Sequence, residues 1–192
     1  MSEEAAVVSI DLIKRTFTVE EYHRMGTSNI FDDERVELVE GEVVTMAPKG
    51  SRHSACVTRL TQLLVSRVEE SFLVRVQEPL ILSEMTEFEP DVATVRSRAD
   101  FYSGAHPSAK DTLLVIEVAE SSLTYDREIK LPLYARAGVP EAWLVDLKAQ
   151  LVSVHSTPSA QGYELVEEMH PGEGVESASV THLRLKIDEI LG

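Results

Sequence analysis

Leu113-Leu-Val-Ile-Glu-Val-Ala119 decides the fold. Its apolar residues are consecutive rather than alternating, and a strand can bury both of its faces only in the middle of a sheet with layers packed on each side. The same run carries Glu117, where an ionised carboxylate must find a partner, a proton or a cation. A solvated glutamate at a strand edge is the plainer alternative, but an edge strand would alternate.

Outward from this strand, Asp91 to Val95 reads as a neighbour entered through Pro90, whose fixed φ and missing N–H suit a strand start. Ala142 to Leu147 reads as the next strand. A helix over about Thr124 to Ala137 connects the two sides, with Thr124 as its cap, Pro132 as a kink and Gly138 as its stop. Upstream, Phe72 to Leu82 is β-rich. Ser51 precedes Val57, Leu60, Leu63, Leu64 and Val68, whose spacing predicts the longest amphipathic helix. Arg35 to Met46 predicts a hairpin turning at Glu40-Gly41, and Thr18-Val-Glu-Glu21 is a capping box opening a short helix closed by Gly26. Leu151 to His155 and Tyr163 to Glu168 predict a β-meander around Pro158 to Gly162, and Ile187 to Leu191 a terminal helical turn. The class is α/β, a sandwich with a mixed sheet and a C-terminal β-meander. One domain spans 1–192, with a core of about 18–147 and a β extension of about 148–192.

Composition bounds the function. The 192 residues are 43% hydrophobic and 27% charged, an ordinary globular balance with enough length for one substantial core. No apolar run approaches the ~18 residues of a membrane span. The acidic start and the single Cys56 predict a cytoplasmic setting with no membrane partner. A formal net charge of −15 repels polyanions. Lys49 to Arg75 is the exception, with five basic residues against Glu69 and Glu70, although arginines on a helix usually just face water. Neither G-x-G-x-x-G nor G-x-x-x-x-G-K-[ST] occurs, nor a Cys pair for zinc, H-E-x-x-H or G-x-S-x-G.

Two carboxylates at the ends of adjacent strands, Asp91 and Glu117, suit a hard divalent cation that prefers oxygen ligands. Pro-Asp is also ordinary turn chemistry. Asp126, Lys130 and Tyr134 follow at i, i+4 and i+8 on one helix face. Spacing alone favours a surface ion pair between Asp126 and Lys130, worth ~0.3 to 0.5 kcal/mol. The other reading has Lys130 reach over the strand end to support an attacking water or phosphoryl charge.

Together, Pro90-Asp91, Ile116-Glu117-Val118, Asp126-x-x-x-Lys130-x-x-x-Tyr134 and Ala137-Gly-Val-Pro-Glu-Ala-Trp-Leu-Val-Asp146 resemble the Uma-type restriction endonuclease family, a branch of the PD-(D/E)XK nuclease superfamily. Glu37-Leu-Val-Glu-Gly-Glu42 resembles its early Glu-Leu-x-x-Gly-Glu element, and His53 a histidine at the start of its long helix. The likeness runs from about Thr18 to Asp146. It implies a restriction-endonuclease-like α/β/α core with a central mixed sheet, Mg²⁺ or Mn²⁺ held by Asp91 and Glu117, and hydrolysis of phosphodiester bonds with DNA as the favoured partner. The superfamily lysine two residues after the Glu falls at Ala119, and the resemblance implies that Lys130 replaces it. Glu37 is an accessory ligand or orienting group, or equally a hairpin salt bridge; for His53 a helix-start role is favoured. The acidity would be reconciled with DNA by weak binding, by surfaces built in a homo-oligomer, or by a special substrate. A non-catalytic module that keeps the fold and binds a protein or ligand is the alternative, and a hydrolase of another phosphorylated compound is a third.

Overall fold

A computed structural model describes residues 14–32, 34–67 and 72–192. Val68, expected on the apolar stripe of the long helix, lies outside the described residues, as do Glu69 and Glu70.

Helix α1 (Val19–Thr27) begins on the Thr18/Glu21 capping box, with both reciprocal hydrogen bonds made. Gly26 does not close it. The helix continues through Thr27, and the Ser28 N–H caps the carbonyls of Arg24, Met25 and Gly26. Strands β1 (Val36–Val39) and β2 (Glu42–Thr45) form the hairpin, and Glu40 and Gly41 both take positive φ, 48° and 86°, as a tight two-residue turn requires. Helix α2 (Ser51–Arg67) follows. The β-rich run after it divides into β3 (Phe72–Arg75) and β4 (Leu80–Ser83) across Gln77, whose φ is 56°. These two strands enter different sheets. Strand β5 (Thr86–Phe88), too short and too polar in sequence to be expected, pairs with β1 and β4. Strands β6 (Val92–Arg96), β7 (Thr112–Ala119) and β8 (Glu141–Asp146) follow the expected order.

Between β7 and β8 the chain is helical in three pieces: α3 (Leu123–Tyr125), a π-helical stretch (Asp126–Lys130) and α4 (Leu131–Arg136). Pro132 offers no N–H to the carbonyl four residues back, and its ring crowds that carbonyl. The wider π turn just ahead of it accommodates the misfit without breaking the rod. Gly138, at φ 83°, ends it as expected. Strands β9 (Leu151–Ser159) and β10 (Gly162–Met169) make the meander, but Pro158 lies inside β9 and only Ala160 and Gln161 turn. Strands β11 (Gly174–Glu176) and β12 (Arg184–Lys186) pair before α5 (Ile187–Leu191).

The main sheet has the order β10-β9-β8-β7-β6-β3, mixed because β7 and β8 are parallel and the other pairs antiparallel. The four-stranded sheet runs β2-β1-β5-β4. Since side chains alternate along a strand, β7 splits its run between two cores. Leu114, Ile116 and Val118 pack with Cys56, Leu60 and Leu64 of α2 and with Ile187 and Ile190 of α5. Val115 and Ala119 pack with Leu131, Leu133 and Tyr134 of α4 and with Leu80 and Phe88 of the smaller sheet. Glu117 therefore projects into the second core. The basic residues of α2 touch other elements while staying largely in solvent: Arg52 and Arg67 are exposed and Arg59 is half-buried, with Arg52 bonding the Leu147 carbonyl, Arg59 the carbonyls of Ile190 and Leu191, and Arg67 the Glu189 carboxylate. Among the described residues, no helix is long and apolar enough to cross a membrane.

Candidate active site

Strands β6 and β7 pair with Val92 opposite Ile116, so the residue just before β6 meets the C-terminal half of β7. Asp91 and Glu117 meet there. The Asp91 N–H donates to Glu117 Oε2 at 3.3 Å, and the Val118 N–H donates to Asp91 Oδ2 at 3.0 Å. The two carboxylates line one cavity of about 70 Å³ at this end of the sheet. His53, buried on the first turn of α2, places Nε2 2.8 Å from Asp91 Oδ2, while the amide of Gln77 donates to Oδ1 at 3.2 Å. His53 thus orients a site carboxylate, more than the helix-start role favoured for it.

Lys130 is not the surface residue that its spacing suggested. It is 2% exposed, and its ammonium donates to Glu37 Oε1 at 2.9 Å and to Glu117 Oε1 at 3.1 Å. Asp126 instead accepts from the Ser122 hydroxyl at 2.6 Å. The surface-pair expectation failed because it assumed an exposed helix, whereas β7 and the hairpin cover this face. Glu37 makes no hairpin salt bridge: it reaches across to Lys130 and also accepts from the Glu89 N–H at 2.8 Å. The Tyr134 hydroxyl donates to Glu117 Oε1 at 2.6 Å.

The electrostatics follow from this crowding. Burial, with the nearby charges of Asp126, Asp91 and Glu37 adding to it, outweighs the attraction of Lys130 and pushes the Glu117 carboxyl up to about 8. For Asp91, burial also acts upward, but the hydrogen bond and charge of His53, the Val118 N–H and Lys130 prevail and hold it below the usual carboxylate range. Burial by itself would lower Lys130, yet the surrounding carboxylates, Glu117 and Glu37 first, raise it above its ordinary value. Asp126 is raised by burial against the opposing pull of Lys130. One ammonium is thus shared among an excess of buried carboxyl groups.

Asp91, Glu117, Lys130, Glu37 and His53, scattered over the sequence, all come together here. Sequence reasoning passed over Gln77, Lys49 and the hydroxyl of Tyr125, which lies 3.4 Å from Glu37 Oε2. Lys49 comes within 3.7 Å of Asp91 Oδ1. Its place just before α2, in the basic stretch, was the available signal.

Among the described residues, no group of three or more His, Cys, Asp or Glu side chains is arranged to hold a metal ion. A two-carboxylate set is nevertheless what Mg²⁺ uses when waters and substrate oxygens complete its shell. The donor chemistry fits such an ion. Among the described residues, Glu117 Oε2 accepts only the long bond from the Asp91 N–H, and Asp91 Oδ1 has only the Gln77 amide and the more distant Lys49.

The sequence profile of the Uma2 family, described as "Putative restriction endonuclease", matches residues 19–188. No curated protein matches the chain. A crystal structure from Anabaena variabilis, described as "a putative nuclease belonging to DUF820", is similar in fold, with a TM-score of 0.70, 17% sequence identity, and coverage of 91% of this chain and 97% of that one.

Proposed function

This chain belongs to the Uma2 family, and from that premise we propose that it is a metal-dependent endonuclease hydrolysing phosphodiester bonds in DNA. The observation that carries this reading is the convergence of Asp91 and Glu117, from adjacent strands, on one cavity beside a buried lysine. Asp91 and Glu117 would hold Mg²⁺ or Mn²⁺. Such an ion lowers the pKa of a bound water and neutralises phosphate charge. His53, Gln77 and the Val118 N–H fix the Asp91 carboxylate. Tyr134 and Lys130 fix that of Glu117, and Lys130 is in turn held by Glu37. Lys130 is thereby a positioning residue, acting on the reacting centre through the carboxylate it holds.

A second reading, a non-catalytic module on the same fold, is favoured by the net charge of −15, which repels a polyanion. Assembly of a homo-oligomer would be one way to build a DNA-binding surface. Metal titration with a panel of DNA and RNA substrates separates the readings. Cleavage should require Mg²⁺ or Mn²⁺ and fall at least ~100-fold in Asp91→Ala. Wild-type protein that neither cleaves any substrate nor gains melting temperature on adding metal would leave the binding module.

A further inference from the structure

Among the described residues, four basic side chains line the cavity: Arg35, Lys49, His53 and Lys130. Three of them are committed. Arg35 pairs with Glu89 at 2.8 Å, His53 with Asp91, and Lys130 with Glu37 and Glu117. Lys49 differs. Its Nζ is shielded from solvent, yet among the described residues it makes no hydrogen bond, and its nearest carboxylate oxygen there, Asp91 Oδ1, stands at 3.7 Å. That distance is an ion-pair contact but beyond a hydrogen bond.

An ammonium carries three donors, and burying them unused is costly, so natural structures rarely leave such a group without a reason. Lys49 lies between β2, which ends at Thr45, and α2, which starts at Ser51. The Glu120 carboxylate, the movable end of its side chain, packs against the adjoining Gly50. The Lys49 ammonium thus lies at the cavity wall with no hydrogen bond among the described residues.

We propose that Lys49 is the substrate-facing cation of this site and donates to a non-bridging oxygen of a bound phosphate. Lys130 cannot take that role, because Glu37 and Glu117 already occupy it at 2% exposure. The two lysines divide the work: Lys130 holds the carboxylates and Lys49 meets the ligand. Charge-assisted bonds to phosphate are the stronger kind, and a divalent ion on Asp91 and Glu117 would offset the carboxyl groups of Glu89, Glu120 and Asp126 that share the lining. That the phosphate is a phosphodiester rests on the nuclease reading; that Lys49 binds a phosphate does not.

The test is binding of inorganic phosphate, followed by ³¹P NMR, to wild type, K49M, K49R and the exposed-lysine control K110M, each with and without Mg²⁺. Wild type and K110M should bind alike, K49M at least tenfold more weakly, and K49R within a few-fold of wild type. The melting temperature of K49M should equal or exceed that of wild type, since the substitution removes a buried, unbonded charge. If Lys49 is only the counter-ion of Asp91, K49M will instead melt lower and bind phosphate as wild type does. Either equal binding by K49M, or no binding by wild type in both conditions, overturns the proposal. Should K49M fail to fold, K49Q carries the same comparison. Absence of cleavage by wild type with phosphate binding intact would remove the nuclease reading and leave Lys49 standing.

Discussion

Lys130→Met tests the central electrostatic claim. In the folded protein the Lys130 ammonium bridges Glu37 and Glu117, and all three side chains are at most 3% exposed. Methionine matches the apolar stem but leaves two carboxyl groups facing one another with no cation. Removing one partner of a buried pair typically costs ~3–5 kcal/mol, against ~0–1 kcal/mol for an exposed pair. For a chain of this size, ~1 kcal/mol corresponds to ~2–4 °C, so Tm should fall by roughly 6–20 °C at neutral pH. Protonation limits the cost, because each orphaned carboxyl can take up a proton instead of remaining charged. The deficit should therefore shrink markedly near pH 5, and Glu117→Gln introduced into Lys130→Met should recover part of it. Urea denaturation at pH 5 and pH 7.5 on the single and double variants measures all of these effects. A loss below ~1 kcal/mol at pH 7.5, unchanged by pH, would show that Lys130 behaves as an exposed residue and would refute the bridging geometry.

Two further perturbations bear on the same cluster. Glu117 binds its proton more tightly when folded, with a value of about 8 against ~4.3 for a free carboxyl. The folded state thus holds the extra proton between those values, so metal-free protein should lose stability as pH rises from about 4.5 to about 8, and Glu117→Gln should flatten that slope; chemical denaturation across this range without metal checks it, and an equal slope in both proteins would place the titration elsewhere. Tyr134→Phe deletes a fully buried hydroxyl that donates to Glu117 at 2.6 Å; it should cost ~1–3 kcal/mol and raise the Glu117 pKa further, read as a shift in the pH at which stability declines.

Much of the fold was legible because local rules decided it. Thr18 and Glu21 specify their capping box by side chains three residues apart, Glu40-Gly41 specifies the hairpin turn, and the continuous apolar run of β7 requires cover on both faces. The same run also exposed Glu117 as a carboxylate in a costly place. Where the sequence misled, the missing information was long-range. Nothing local distinguishes an Asp126–Lys130 pair facing water from a lysine buried under a hairpin some ninety residues earlier in the chain, since helical spacing is identical in both cases. Nor does it show that β3 and β4 enter different sheets, because each strand takes its partners from remote segments. Residue types and periodicity thus determined the layers, the central strand and the costly position of Glu117, whereas Asp91 stood out only through the resemblance of the combined motifs. Only the tertiary structure decided which charges are buried together, because burial and pairing depend on what packs over a side chain, and it is those that set Glu117 high, consume Lys130 and leave the Lys49 ammonium without a hydrogen bond.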